Sequence, residues 1–392
     1  MEICSKDKCT GCYACFNACR HQAIEMVEDE LGHIHPFIDE KKCLGCKLCE
    51  LSCPVNSKPN LIYPLKCYAV ALLDENELYR SASGGAAAAL MRIVIENGGV
   101  AYGCSGEDVF NVHHIRIADV ADIEKLRGSK YVQSNIGTIY NDVRSDLKDD
   151  RKVLFTGTPC QIAGLKSFLH KEYPNLITAD LVCHGVPSQK MLTDNIRRYT
   201  TEKDGSKLKI SFRRKCHKSD AKIDSAKIEY GWFLQNQPNL NVSRKFYDDS
   251  YMLGFLQCLT FRQSCYTCQY ATSARCSDIT LADFWGIGND ANFEKGAGVS
   301  LCLINSDKGQ KLIEKIKSVA KIVERDVVEA IIGNGQLQRP SPKNRAYSKF
   351  RQIYPMVGLE KSIEESLYTM DKLRARLIEP LKQKIKILIR GK

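Results

Sequence analysis

The sequence offers little that would enter a membrane or carry the chain across one. No apolar run approaches the about 18 residues of a transmembrane helix. The best stretch, Ala86 to Met91, is cut by Arg92. The opening residues, Met-Glu-Ile-Cys-Ser-Lys, contain no apolar core of a secretory signal. A cytoplasmic protein is therefore expected. Nucleic-acid binding also lacks a signature. Residues 203–227 carry a net charge of +6, but no helix-turn-helix, finger or RNP pattern accompanies them. That stretch reads as an exposed loop or hairpin.

Cysteine is abundant, with 19 in 392 residues. Eight of them form two copies of C-x2-C-x2-C-x3-C: Cys9, Cys12, Cys15, Cys19 and then Cys43, Cys46, Cys49, Cys53, at a constant offset of 34 residues. This is the run of bacterial two-cluster ferredoxins, in which three cysteines hold one 4Fe-4S cubane and the fourth serves its partner. The spacing therefore assigns Cys9, Cys12, Cys15 and Cys53 to one cluster, and Cys43, Cys46, Cys49 and Cys19 to the other. Two zinc ions would also use eight thiolates, but the repeated order suits zinc poorly. A disulfide framework fits still less, because C-x2-C runs without a secretory signal read as metal or redox sites. Pro54 follows Cys53, whereas Arg20 follows Cys19. A cation there favours the reduced, more negative cluster.

With 44% hydrophobic residues the chain can build a substantial further core. Its length suggests two or three domains of about 150 residues. We expect a ferredoxin-like head over 1–57 with a hairpin around Leu31-Gly32, and a linker over 58–66. An oxidoreductase domain follows over 67–345, then a basic helical tail over 346–392. The charge of +11 is uneven: residues 1–60 carry −2 and residues 341–392 carry +8. The segment from Lys372 to Lys392 has leucines and isoleucines at helical spacing among eight basic residues. It suits contact with an anionic membrane surface, and equally a solvated tail or a contact with another protein chain.

In the body, Lys152 to Thr156 reads as a strand ending at Gly157-Thr158-Pro159-Cys160, and a helix follows. Ile177 to Val182 reads as a second strand, ending at Cys183-His184-Gly185. Strand, turn, helix, strand indicates parallel pairing with a crossover. The fold class is thus an α/β core with a parallel or mixed sheet, preceded by a small α+β ferredoxin-like domain. Ligands in such sheets bind at the carboxyl ends of the strands, where both cysteines fall. A further C-x2-C pair, Cys265 and Cys268, supplies two ligands and must recruit others. Cys160 and Cys183 are the natural suppliers, with Cys276 in reserve; a zinc knuckle with Cys258 or Cys276 is the alternative. Cys4, Cys67, Cys104, Cys216 and Cys302 have no ligand-like spacing and read as structural. The Ser83-Gly84-Gly85 turn opens a helix, Ala86 to Glu96, and could offer N–H groups to a phosphate or simply cap the helix. Lys130 could meet a phosphate or be solvated. His113 and His114, adjacent on a strand, point to opposite sides and read as structural. Gly286-x-Gly288-x-x-Ala291 lacks a following periodic helix and so fails as a dinucleotide fingerprint. Helical periodicity spans 308–332, and 340–355 looks irregular.

Gly157-Thr-Pro-Cys-Gln, Cys183-His-Gly-Val-Pro-Ser, the Cys265/Cys268 pair and Ser277-Asp-Ile-Thr-Leu-Ala-Asp-Phe-Trp-Gly occur in this order. Together they resemble the coenzyme F420 hydrogenase/dehydrogenase beta-subunit family, in a version fused to a two-cluster ferredoxin domain. The resemblance reaches about residue 350. It implies an FAD-bearing α/β core with a third 4Fe-4S cluster. It also implies a flavin site lined by Ser83, Gly84, Gly85, Lys130, Tyr131, Gly157, Thr158, Pro159, His184 and Gly185. The resemblance further implies an association with surface-polysaccharide enzymes, so the family name need not identify the substrate.

Chemically, clusters carry single electrons and organic hydride donors carry pairs, and a flavin converts between them. The expected function is an oxidoreductase relaying electrons from a redox partner protein through the clusters to FAD and a small organic hydride donor or acceptor. His184 would protonate, position or simply pack. An electron carrier without substrate and a zinc-bearing adaptor are the other readings.

Overall fold

The computed structural model describes residues 2–216, 227–236, 238–294 and 296–367. The sequence repeat of the head is also a backbone repeat. Gly11 and Tyr13 have φ of 63° and 65°, and their counterparts 34 positions later, Gly45 and Lys47, have 66° and 61°. Each left-handed pair turns the chain around its cysteines and launches a short helix, Ala14–Ala18 or Leu48–Leu51. Between the copies, β1 (Ile24–Glu28) and β2 (Ile34–Ile38) form the expected antiparallel hairpin. Asp29 Oδ1 accepts the N–H groups of Leu31 and His33 and so closes the turn.

The body holds a mixed sheet of eight strands. They are β3 (Lys66–Leu72), β4 (Val100–Ser105), β5 (His113–Ile117), β6 (Val153–Gly157), β7 (Leu176–Leu181), β11 (Ile279–Asp283), β12 (Ser300–Ile304) and β13 (Ala320–Arg325). Their order is β13-β3-β12-β11-β7-β6-β4-β5. The central neighbours β4, β6, β7 and β11 are parallel, and β5, β12 and β13 add antiparallel. Side chains alternate across the sheet as strand geometry requires. Leu154 joins the core under the Ala86–Glu96 helix. Val153 and Phe155 face the opposite side, with Cys12, Tyr13 and Ala14 of the head and residues of the Pro159–Leu169 helix. The head therefore shares a core with one face of the sheet.

A three-stranded antiparallel sheet, in the order β10-β9-β8, comprises β8 (Lys209–Cys216), β9 (Lys227–Asn236) and β10 (Leu240–Lys245). The reading of 203–227 as an exposed loop or hairpin is right in its second form, since β8 pairs antiparallel with β9, but the strand is not simply exposed: Phe212 is buried with Trp232 and Leu234. The helical reading of 308–332 also needs correction. Helices Asp307–Lys315 and Val327–Gly333 flank β13, whose Ile322 and Val323 pair along β3. β-branched residues favour the pleated edge. The stretch 340–355 is only partly irregular, because a helix starts at Tyr347 and runs to Ser366, with a break at Gly358. Tyr347, Phe350 and Tyr354 are buried on it, so this part of the expected tail packs on the body. The basic segment 372–392 lies outside the described residues. The stretch expected as a linker is fastened to the body, where Ile62 and Arg275 exchange two backbone hydrogen bonds of 2.8 Å.

Two buried polar systems fix the strand ends. Asp278 Oδ2 accepts from Thr178 N and Oγ1, each at 2.8 Å, tying β11 to β7. Arg275 and Asp180, both almost fully buried, approach to 3.0 Å, and Arg275 also donates to the carbonyls of Tyr270, Thr272 and Leu181. Removing one member of such a pair leaves the other charge buried alone. Arg275→Met should thus destabilise the fold by about 3–5 kcal/mol in chemical denaturation; a loss below about 1 kcal/mol would assign the pair a surface-like role.

Candidate functional site

Five cysteines line the cavity that the first run makes with the end of the second: Cys9, Cys12, Cys15 and Cys53, joined by Cys4. Cys19, Cys43 and Cys49 lie partly buried beside the same small apolar cluster, and Cys46 is exposed. The head thus presents one enclosed group of thiols and one near solvent. Arg20 is exposed, so water and salt weaken the influence on the clusters expected from it.

A second cavity opens at the carboxyl ends of the parallel strands. Cys160, Cys183, Cys265 and Cys268 line it, with Thr158, Pro159, His184, Gly185 and Arg262. The sequence explains each position. β6 ends at Gly157, and Thr158 then begins a helix whose first residue is Pro159; Thr158 N–H donates to Gln161 Oε1 at 2.9 Å. Cys160 consequently sits in the first turn, where the helix dipole favours negative charge. Cys183 follows β7 by two residues. Gly185 is needed at φ 131°, because a Cβ there would lie 2.5 Å from the Phe261 ring. Cys265 and Cys268 lie in and just after the short 3-10 turn Gln263–Thr267. Burial raises the pKa of all four thiols, Cys160 to about 11 and Cys183 to about 12. Loading a metal here would therefore release protons. Cys276 does not line the cavity; its Sγ donates to the Pro159 carbonyl. Cys258 is likewise absent from the lining.

The two cavities adjoin, sharing Thr10. Cys12 packs against the same helix that carries Cys160, since a Cβ on Gly164 would lie 3.0 Å from Cys12 Sγ. Arg262, buried to 2% exposure, runs from the second cavity into the head. Its Nε donates to the Cys9 carbonyl at 2.8 Å and its Nη1 to Gln133 Oε1 at 3.1 Å, while Nη2 reaches the Ile34 carbonyl. Sequence reasoning missed it, because its partners lie more than 100 positions away.

The expected flavin residues fall into two neighbouring groups. Thr158, Pro159, His184 and Gly185 line the thiol cavity. Ser83 and Tyr131 gather instead around β8. Arg213 Nε donates to Tyr131 Oη at 2.6 Å and Nη1 to Asp283 Oδ1 at 2.9 Å; Lys215 Nζ donates to the Ser83 carbonyl at 2.6 Å. Phe255 connects the groups, stacking on Tyr131 at 4.7 Å and lying 6.5 Å from the His184 ring. Gly85 begins the Ala86–Glu96 helix, whose first N–H, that of the buried Ala86, meets Ser300 Oγ at 3.4 Å. Gly84 serves packing, because a Cβ would lie 2.0 Å from the Val70 carbonyl. Lys130 is neither solvated nor free, since its ammonium donates to the carbonyls of Leu126 and Arg127 at 2.8 and 2.7 Å. Gly157 is the last residue of β6. His184 lines the cavity and is exposed to solvent; partial desolvation of its ring, then Arg213, lowers its pKa. Burial pushes Lys215 down to about 8. Arg213 and Lys215 were not singled out in a stretch read as an exposed loop or hairpin, where they stand among many basic residues.

Two family models match the chain. Residues 150–330 match the family model for the carboxyl-terminal part of the coenzyme F420 hydrogenase/dehydrogenase beta subunit, and residues 8–57 match the 4Fe-4S dicluster domain. Residues 150–330 are thus similar to the carboxyl-terminal part of that beta subunit, and residues 8–57 form a dicluster ferredoxin head. An uncharacterised ferredoxin of Methanocaldococcus jannaschii is 33% identical over 55 residues, which are 14% of this chain and 70% of the relative. A chain of the F420-reducing NiFe hydrogenase complex from Methanosarcina barkeri aligns at a TM-score of 0.45 and 17% identity, covering 70% of this chain and 91% of that one. The chain is an iron–sulfur electron-transfer protein related to that beta subunit. No helix among the described residues is long and apolar enough to cross a membrane.

Arg262 places a buried positive charge beside Cys9. Arg262→Met should lower the midpoint potential of one head cluster and leave the other in place. A differential interaction of about 1.4 kcal/mol corresponds to about 59 mV for one electron. EPR-monitored redox titration measures this, and equal shifts in both head clusters would contradict it.

Proposed function

We propose that this chain is an oxidoreductase that relays electrons between a redox partner protein and an organic hydride donor or acceptor. The path runs through two head clusters, a third 4Fe-4S cluster on Cys160, Cys183, Cys265 and Cys268, and an FAD. In the head, Cys9, Cys12, Cys15 and Cys53 hold the inner cluster, and Cys19, Cys43, Cys46 and Cys49 the outer one. The observation that carries the reading is the juxtaposition of two thiol-lined cavities that share Thr10. Exposed Cys46, with Leu44 at 71% exposure beside it, suits the outer cluster to meeting a partner protein.

A bound flavin converts between one-electron and two-electron carriers. The residues present fit its anionic part. Lys215 keeps one N–H beyond those given to the Leu78 and Ser83 carbonyls, and Arg213 is held in place by Asp283 and Tyr131. His184 stands between this group and the thiols, suited to positioning a substrate or delivering a proton. The substrate class is a deazaflavin-like molecule or a surface-polysaccharide precursor. The protein would work in the cytoplasm, with the basic segment 372–392 contacting an anionic membrane surface. One observation favours a carrier without flavin: Lys130 and Lys215 each donate to two backbone carbonyls, and Gly84 is committed to packing.

Anaerobic cofactor analysis separates the readings. The oxidoreductase should contain about twelve irons and one flavin, and Cys265→Ser should remove about four irons only. Iron without flavin would establish the carrier; zinc in place of iron would overturn both. Lys215 adds a pH signature. Protonated below about pH 8, it attracts the flavin phosphates, so flavin affinity should fall by up to about tenfold between pH 8 and 9. Lys215→Met should abolish that dependence, and an unchanged profile would remove Lys215 from the site.

A further inference from the structure

The inner head cavity contains one thiol more than a cubane needs. Four iron corners take one thiolate each, yet Cys4 lines the cavity alongside Cys9, Cys12, Cys15 and Cys53. It also packs on the small apolar cluster that holds Cys15 and Cys53. The position is built rather than accidental. Asn56 Nδ2 donates to the Ile3 carbonyl at 2.9 Å, and Ile3 is buried against Cys15, Ile24, Ile38 and Cys53. On the other side, Lys8 and Cys9 donate their N–H groups to the Ser5 carbonyl at 2.9 and 3.0 Å. Cys4 is thus clamped before and after, close to two ligand sulfurs. Nothing in the repeated spacing calls for a cysteine here.

We propose that Cys4 is a reserve ligand of the inner cluster, placed to take the iron corner of Cys53 or Cys9, and that it donates its S–H to their sulfurs while the cluster is intact. This rests on the assignment of Cys9, Cys12, Cys15 and Cys53 to that cluster. In the exchange, the Cys4 sulfur bonds to iron as the Cys53 sulfur leaves. The proton of Cys4 passes to the departing thiolate, and the iron oxidation states do not change. The exchange keeps a four-thiolate cluster closed when its ligand from the distant second run is lost. Cys12 instead packs against Gly164 of the helix that carries Cys160.

The test compares alanine variants of the full chain, assembled anaerobically, by iron content and low-temperature EPR. Cys53→Ala should keep the inner cluster's signal, and Cys4→Ala/Cys53→Ala should lose it together with about four irons. Cys12→Ala should lose the signal with Cys4 still present. Loss of the inner cluster in Cys53→Ala as complete as in the double variant would overturn the proposal. Because variants at Cys53 could fail to fold, Cys4→Ala alone gives a second reading. It should keep all its iron but move the inner cluster's midpoint potential downward, since a donor to its sulfurs is gone. An unchanged potential would show that Cys4 does not address the cluster.

Discussion

A buried guanidinium, that of Arg262, crosses from the body of this molecule into its head. Arg262 leaves the body beside the Cys265/Cys268 pair and ends among carbonyl oxygens of the head. A head of this size buries too little apolar surface to stand firmly without help. Its clusters supply part of that help, and the body supplies the rest. Arg262 is supported by Gln133, which donates to the Thr10 carbonyl, and by Asn17, which donates to the Gly137 carbonyl. These bonds set the head in one orientation, and that orientation brings one thiol cavity against the other. Electron transfer depends on such fixed short separations more than on any catalytic group.

The rest of the architecture presents the second cavity. Parallel strands deliver Cys160 and Cys183 to one edge of the sheet. The Arg275–Asp180 pair and the Asp278–Thr178 bonds hold those strand ends in register. β8 then brings Arg213 and Lys215 across the edge, where Asp283 at the end of β11 receives Arg213. Thiols and cations therefore occupy adjacent parts of one rim. An acceptor that is partly flat and partly anionic suits that division.

Much of this was legible in the chain itself. The eight head cysteines are readable because a cubane's geometry imposes a spacing over a few residues, and the backbone repeats with it. The Gly157 and Cys183 turns are readable because strand, turn and helix are local signals. Other features depend on distant contacts. Cys4 has no telling spacing; it reaches the cavity because Asn56 holds Ile3. The charges of β8 mask the alternation that buries Phe212. Pro355 and the surrounding basic residues conceal the helix that Tyr347, Phe350 and Tyr354 fasten to the core. Lys130 shows the opposite limit, since a lysine that suits a phosphate by sequence is satisfied by two carbonyls in the fold.

The most direct measurement is of magnetic interaction between centres in the fully reduced protein, by low-temperature EPR at two frequencies. Adjoining cavities predict that the inner head cluster broadens and splits a core signal, and that this splitting disappears when Cys160 is replaced by alanine. Head signals with no interaction partner, identical before and after that replacement, would contradict the account.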